Sequence, residues 1–229
     1  WRIFLPGIPS GTQYRFKLNN ALERPDPASH FQPLGVHGPS EVVDHAQFEW
    51  TDKDWIGPSL DTYIIHEVHT GTFSKEGTFS GIQEKIPYLK SLGINALEIM
   101  PVAPFPGGRN WGYDGAFTFA VQNSYGGPTG LKQLVNECHR HDVAVVLDVV
   151  YNHFGPEGAY VADYGSYFTK EYSTPWGDAL NFDGADCDPV RNYFIENALH
   201  WLKNYHIDAL RLDAVHGMYD RGAKHFLQE

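Results

Sequence analysis

The chain has 229 residues and a formal net charge of −11, which gives enough length for one sizeable core and a smaller module. Its excess of acidic residues argues against nucleic acid and anionic membranes as partners, and no apolar run approaches the length of a transmembrane helix. The two cysteines, Cys138 and Cys187, indicate no disulfide framework and suit a reducing compartment, so we expect a cytoplasmic protein.

The first 58 residues are typical of β-structure and loops. Residues 14–18 (YRFKL) alternate between polar and apolar side chains, as a half-exposed strand does. Residues 24–33 contain several prolines, which exclude a regular helix. We therefore predict that residues 1–58 form the C-terminal part of a small β-sandwich followed by a linker.

From residue 59 onward the pattern alternates between strands and helices. Strands are predicted at residues 62–69, 96–100, 143–150 and 209–215. Helices are predicted at residues 79–92, where Pro87 should delay or kink the helix, at 131–141, and at 189–205 behind an N-cap at Asp188. This order predicts a parallel α/β sheet, either a (β/α)8 barrel or a doubly wound sheet. The first strand is not followed by a glycine-rich fingerprint, which disfavours a dinucleotide fold.

The last predicted strand carries two opposite charges on one face. Arg211 and Asp213 are two residues apart in LRLDAVH, so both point to the same side of a strand. Burying these two charges costs free energy unless they form an ion pair or contact a ligand. Arg211 should keep Asp213 ionised, as a nucleophilic carboxylate requires. A structural ion pair explains these residues equally well at this point.

The third predicted strand ends in DVVYNH and supplies further candidates. Asp148 interrupts an apolar run and needs a partner, for which Arg211 is geometrically reasonable. His153 could reach a ligand beyond the strand end or be a structural histidine, and Asn152 is best explained as a turn residue that caps its own backbone. Tyr113 in the loop GYDG could stack on a sugar ring or pack within the loop.

Two of these stretches resemble a known family. DVVYNH at 148–153 and LRLDAVH at 210–216 resemble, in order and spacing, two signature stretches of the α-amylase family of glycoside hydrolases. The resemblance covers residues 62–229 and implies that residues 59–229 form strands 1–4 of a TIM barrel, its N-terminal half. Four further stretches resemble the trehalose-releasing branch of the family; they cover residues 105–115, 121–128, 152–158 and 172–182.

The resemblance also implies an activity. The expected reaction is the retaining hydrolysis of the α-1,4 bond next to the terminal trehalose of maltooligosyltrehalose, with that molecule or a related α-glucan as the partner. A branching or debranching enzyme of the same family and a non-catalytic glucan-binding relative remain alternatives. The roles implied by the resemblance are a nucleophile at Asp213, an orienting cation at Arg211, sugar contacts at Tyr113, His153 and His216, and support from Asp148 and Asn152. No cofactor and no metal ion are expected.

A retaining mechanism needs a second carboxyl group about 5 Å from the first. In the family, the acid/base glutamate ends the fifth strand and a third carboxylate follows the seventh, so both are expected beyond Glu229. Glu67, Glu98 and Glu157 do not match the family's acid, and Asp220 and Glu229 are interpreted as surface charges of a helix. The chain starts at Trp1 without a methionine and ends at Glu229 within what is predicted to be a new helix, so we expect that both ends are cut. Four strands cannot close a barrel, and we expect the 229 residues alone to be inactive and poorly stable.

Overall fold

The computed structural model describes residues 4–19 and 21–229. The strands are β1 (Gln13–Tyr14), β2 (Phe16–Leu18), β3 (Leu22–Arg24), β4 (Ser40–Glu41), β5 (Ile65–Val68), β6 (Ala96–Ile99), β7 (Ala144–Val149), β8 (Phe168–Thr174), β9 (Gly177–Leu180) and β10 (Ala209–Leu212). The α-helices are α1 (Thr70–Phe73), α2 (Phe79–Gln83), α3 (Ile86–Ser91), α4 (Gly127–Arg140) and α5 (Cys187–Tyr205). Short 3₁₀ helices lie at His45–Gln47, Leu60–Thr62, Asn123–Tyr125, Val161–Asp163, Val215–Gly217 and Phe226–Gln228. Within this described part, no helix has the length and apolar character needed to span a bilayer.

Four parallel strands form the central sheet in the order β10-β7-β6-β5. Each strand therefore lies beside the next one along the chain, which is how successive strands follow one another around a (β/α)8 barrel. A doubly wound sheet instead reverses its strand order near the middle. The predicted α/β class is confirmed, and β7 is buried over its whole length, as its continuous apolar run predicts.

The four strands of the central sheet are shorter than the sequence pattern predicts, and the backbone shows why at its two edge strands. The amide of Ile64 is bonded to the side chain of Asn95 (2.6 Å), so strand pairing begins only at Ile65. At the other end of the sheet, β10 stops at Leu212 because Ala214 adopts a left-handed conformation (φ 41°), which turns the chain out of the sheet.

Two predictions about proline are tested by the helices. Pro87 does divide the predicted helix into α2 and α3, and it lies in the first turn of α3, where its missing N–H is not needed. The prediction that Asp188 caps α5 is wrong. The helix begins at Cys187 after a left-handed Asp186 (φ 59°). Pro189 is still within the first turn, where its missing N–H costs no intrahelical hydrogen bond.

The described residues before position 59 form two antiparallel pairs, β1 with β4 and β2 with β3. The strand predicted at residues 14–18 is divided at Arg15 between two of these short strands. The rest of this segment runs over the helices. Lys132 of α4 donates to the carbonyl of His45 (3.1 Å), and the Trp55 indole donates to Asp208 (2.7 Å), just before β10.

The surface position predicted for Asp220 is wrong, whereas Glu229 is exposed as predicted. Arg191 of α5 lies 2.6 Å from the buried carboxylate of Asp220 and 2.7 Å from that of Glu229. The two acids lie in a loop and after a short 3₁₀ helix, and the guanidinium draws both towards α5. The charge of Asp220 is therefore compensated within the fold, whereas that of Glu229 is paired but still partly solvated.

Candidate active site

The site is built where β7 and β10 end. The two strands pair in parallel with Arg211 opposite Asp148, so these side chains project from neighbouring strands at the same level. Asp213 follows the last residue of β10, and its amide still bonds to the carbonyl of Val149 (3.0 Å). The left-handed Ala214 comes next. This conformation is costly for a residue with a side chain and is typical of functional sites.

The guanidinium of Arg211 connects the two carboxylates. Its Nη1 atom donates to Asp148 Oδ2 (2.9 Å) and to Asp213 Oδ1 (2.8 Å). The predicted pairing with Asp148 is confirmed. The two acids differ in access, since the Asp148 side chain is 0% exposed whereas that of Asp213 is 17% exposed. Of the two, only Asp213 can meet a ligand directly.

Asp148 is held in an environment that disfavours its charge. Burial raises the pKa of Asp148 to about 6, although hydrogen bonds from Tyr113 and Arg211 act in the opposite direction. The Tyr113 hydroxyl donates to Asp148 Oδ2 (2.8 Å), while Asp148 Oδ1 is buried without a hydrogen-bond partner. Tyr113 is thus anchored at its hydroxyl end, which fixes the position of its ring.

Asn152 and His153 link the strand ends to the Tyr113 loop. Asn152 Nδ2 donates to the backbone carbonyl of Asp213 (2.8 Å) and to its Oδ2 atom (3.2 Å). The interpretation of Asn152 as a local turn cap is therefore wrong, because its amide bonds to a residue from the next strand. The ring nitrogens of His153 lie against Asn152 Oδ1 (2.5 Å) and the Tyr113 carbonyl (2.9 Å). Burial lowers the pKa of His153, with that carbonyl and nearby carboxylates partly offsetting the effect.

Two glycines allow the loops to meet at this site. Gly112 has φ 105°, and a Cβ atom there would lie 2.3 Å from the carbonyl oxygen of Pro101. A Cβ atom on Gly155 would lie 2.0 Å from the carbonyl oxygen of Asp114. Only glycine permits both approaches. The loop that carries Tyr113 is therefore locked against the end of β6 and against the loop after β7.

Trp176 belongs to this site, although the sequence reasoning did not single it out. It lies in the turn of the β8–β9 hairpin and stacks on the His153 ring at 5.1 Å with an interplanar angle of 8°. The residue is 44% exposed. His216, in the 3₁₀ helix after β10, joins the group through its ring, 6.3 Å from that of Trp176. The signal available in the sequence was a tryptophan between Pro175 and Gly177, two residues typical of a turn.

Two further carboxylates lie beside Asp148. Glu67 of β5 and Glu98 of β6 are opposite each other in the sheet, and one oxygen from each lies within 4.8 Å of one on Asp148 and of one on the other. Burial and then the neighbouring Glu67 raise the pKa of Glu98, while Arg211 lowers it. These oxygens could hold a proton or a cation between them. Glu157 lies elsewhere, bonded to His37 (2.9 Å).

The chain matches a known family and curated relatives over most of its length. The family model described as "Alpha amylase, catalytic domain" matches residues 45–178. The malto-oligosyltrehalose trehalohydrolase of Saccharolobus solfataricus is 50% identical over 99% of this chain, and that of Deinococcus radiodurans is 48% identical over 100%. The chain spans only 40% and 38% of the lengths of these two proteins.

A solved structure shares the fold. The crystal structure of a Salmonella typhimurium protein described as an alpha amylase superposes with a TM-score of 0.93 at 44% identity. The match covers 97% of this chain and 38% of that protein. The strand order, the site geometry and this superposition together indicate a fragment of a TIM-type barrel.

Proposed function

The chain belongs to the α-amylase catalytic-domain family, and we propose that it forms part of a retaining glycoside hydrolase. The proposed enzyme hydrolyses the α-1,4 bond next to the terminal trehalose of maltooligosyltrehalose and releases trehalose. The observation that carries the reaction type is the single guanidinium of Arg211 held between a buried Asp148 and an accessible Asp213. The substrate is proposed because relatives at 50% and 48% identity are malto-oligosyltrehalose trehalohydrolases.

Asp213 is the proposed nucleophile. Each of its carboxylate oxygens accepts a hydrogen bond, one from Arg211 (2.8 Å) and one from Asn152 (3.2 Å). These donors fix the carboxylate, and each oxygen keeps a free lone pair for attack. In the first step an oxygen of Asp213 bonds to the anomeric carbon, the bond to trehalose breaks, and the leaving oxygen takes a proton from an acid. In the second step water attacks that carbon, gives its proton back to the same group, and frees Asp213.

The sugar contacts follow from the groups around Asp213. Tyr113 is proposed to stack against the sugar at the cleaved bond, a role supported by the anchoring of its hydroxyl on Asp148. His153 is proposed to hydrogen-bond the same sugar, which requires it to exchange its bond to the Tyr113 carbonyl. His216 is proposed to contact the adjoining sugar. Asp148 and Asn152 support Arg211 and Asp213 without touching the substrate.

The second carboxyl group is proposed to come from the part of the protein that the relatives carry beyond the matched region. Asp148 does not fill the role, because its side chain is 0% exposed and shares a guanidinium with the nucleophile. The same assignment is proposed for the third carboxylate of the family. The reaction needs neither a cofactor nor a metal ion, because two carboxyl groups supply both the nucleophile and the proton.

We also propose domain boundaries and a cellular compartment for the protein. Residues 1–58 are proposed to be the end of a β-sandwich and its linker, and residues 59–229 the first half of the barrel; the antiparallel pairs before residue 59 support this division. The free thiols of Cys138 and Cys187 are compatible with the proposed cytoplasmic location.

The test compares the complete protein carrying this chain with its Asp213→Asn variant. Trehalose is measured after incubation with maltooligosyltrehalose, with starch as a second substrate. We expect trehalose release that falls at least about 10³-fold in Asp213→Asn, while Asp188→Asn, which changes an exposed aspartate at the start of α5, keeps full activity. If the protein transfers branches or releases reducing sugar from starch, and releases no trehalose, the proposed substrate is wrong. Full activity of Asp213→Asn would refute the nucleophile.

A further inference from the structure

Three histidines from distant parts of the sequence meet where the N-terminal segment packs against α5. His30 and His45 belong to the N-terminal segment, and His200 belongs to α5. The ring of His30 lies 4.4 Å from that of His200 and 5.0 Å from that of His45, centroid to centroid. One ring nitrogen of each residue lies within 4.8 Å of one on each of the others. His45 Nε2 and His30 Nδ1 are 3.0 Å apart, close to the roughly 3.3 Å that separates two nitrogens on a tetrahedral zinc ion.

The tautomer of His200 leaves a suitable donor atom. Its Nε2 atom lies 3.1 Å from the carbonyl oxygen of Phe119, and because a carbonyl only accepts, Nε2 must carry the proton. The lone pair is then on Nδ1, where the Asn204 amide now donates to it (3.0 Å). A backbone carbonyl behind a histidine is the usual support of a metal ligand. Asn204 is partly exposed and can turn away from Nδ1.

The polar groups around the three rings are not all hydrogen-bonded. Two atoms here are buried without a hydrogen bond: the hydroxyl of Tyr205, and His45 Nδ1, which lies on the other side of its ring from the Nε2 atom that faces His30. The Tyr205 ring lies 5.4 Å from that of His45 and 5.3 Å from that of His200. Buried polar atoms are normally satisfied, so the unsatisfied Tyr205 hydroxyl beside the cluster indicates a place for a polar guest.

The charge state of the rings suits a cation as that guest. Burial lowers the pKa of His30 to about 4, of His45 to about 3 and of His200 to about 2, so all three keep their lone pairs at neutral pH. Neutral imidazoles favour zinc and similar first-row ions over magnesium or calcium. Lys132 opposes binding, because its ammonium bonds to the His45 carbonyl (3.1 Å). We therefore expect weaker binding than at a cysteine-rich zinc site.

From this geometry we propose that His30, His45 and His200 form a zinc-binding site that fastens the N-terminal segment to α5. The site lies outside the group of residues around Asp213, and its occupancy is independent of the proposed activity. Because two ligands come from the segment before the barrel and one from a barrel helix, bound metal stabilises their association.

The experiment measures metal binding directly. The complete protein is stripped with a chelator and titrated with Zn²⁺ by calorimetry and with Co²⁺ by absorption spectroscopy. We expect a site that gives the intense visible absorption of tetrahedral Co²⁺ and a higher melting temperature with Zn²⁺. His30→Gln and His200→Gln should each weaken binding at least about tenfold and remove the thermal shift. His37→Gln changes an exposed histidine of the same segment and should bind like the unmodified protein.

His30→Gln is the decisive variant because His30 is only partly buried and its one described hydrogen bond is to His45. Circular dichroism in the absence of metal should show that this variant is folded. Absence of stoichiometric binding by the unmodified protein would overturn the proposal. Equal binding by the unmodified protein, His30→Gln and His200→Gln would also overturn it, since the metal would then be held elsewhere.

Discussion

Buried charged groups are hydrogen-bonded differently at the two ends of the strands of the central sheet. At the end where β7 and β10 stop, Asp148 keeps one oxygen without a partner, and Asp213 is followed by a left-handed alanine. At the other end, His139 is bonded to Asp52 (2.8 Å) and Asp208 (3.0 Å). Barrels keep chemistry at the first end and stability at the second. The difference separates residues that fold the protein from those proposed to react.

Four residues at the second end form what we call the lower cluster (Asp52, His139, His206 and Asp208). Their side chains are joined by hydrogen bonds. Asp208 also accepts from the Trp55 indole (2.7 Å) and the Val145 amide (2.7 Å). Burial raises the pKa of Asp52, but hydrogen bonds from His206 and His139 outweigh it and lower the pKa below its ordinary value. Burial raises the pKa of Asp148 instead. The two carboxylates should therefore make opposite contributions to stability as the pH changes.

The largest expected effect is on catalysis at the first end. Arg211→Ala removes the only cation that bonds to both Asp148 and Asp213 within the described residues. The two acids then repel each other, and the nucleophile loses a donor that orients it. We expect trehalose release to fall by about 10²- to 10⁴-fold.

The matched control is Arg140→Ala, which removes an exposed arginine at the end of α4. Its activity should equal that of the unmodified protein. Activity of Arg211→Ala within a factor of about three of normal would show that the guanidinium only stabilises the fold.

The second effect is on stability at the lower cluster. Asp208→Ala leaves His139, the Trp55 indole and the Val145 amide without their acceptor. Removing one partner of a buried charged network costs about 3–5 kcal/mol. We expect that loss in the free energy of urea-induced unfolding of the complete protein.

Asp54→Ala is the control, because Asp54 is exposed in the same N-terminal segment. It should change the free energy of unfolding by less than about 0.5 kcal/mol. A loss in Asp208→Ala no larger than the control's would mean that the lower cluster does not hold the two regions together.

The smallest effect is the pH dependence caused by Asp148. Its pKa is about 6 in the folded protein and about 3.9 in an unfolded chain. The folded state therefore binds the proton more tightly, so this group's contribution to stability is complete below pH 4 and is lost as the pH rises through 6. In the unmodified protein, this group lowers the free energy of unfolding by about 1–3 kcal/mol between pH 4 and pH 7. We expect Asp148→Asn to lack this decrease.

Asp52 provides the contrast within the same measurement. Its lowered pKa means that its contribution is present above about pH 3.9 and is lost as the pH falls further. The acid limb of the stability profile should therefore survive in Asp148→Asn. Superimposable profiles of this variant and the unmodified protein between pH 4 and 7 would contradict the assigned origin of the Asp148 shift.

The sequence predicted the parts of the site that follow from strand periodicity. Arg211 and Asp213 share a side because they are two residues apart, and an acid within the apolar run of β7 required a cation from a neighbouring strand. The interruption by Pro87 follows equally from local chemistry. These inferences need only the geometry of single elements and of adjacent parallel strands.

The residues that sequence reasoning missed or misread are placed by loops. Trp176 meets His153 through a hairpin, and Asn152 meets Asp213 across 61 positions. Asp220 is buried by Arg191, 29 positions before it. A loop has no periodicity from which its path can be read. Contacts of this kind depend on where several loops converge, which neither local propensity nor charge pattern determines.

The most direct test of the central claim is to trap the covalent intermediate on Asp213. The complete protein is treated with a fluorinated α-maltosyl fluoride, whose glycosyl-enzyme forms faster than it is hydrolysed, then digested and analysed by mass spectrometry. We predict one added glycosyl mass on the peptide that contains Asp213, and none in Asp213→Asn. A label on a different carboxylate, or turnover with inverted configuration and no label, would contradict the assignment of Asp213 as the nucleophile.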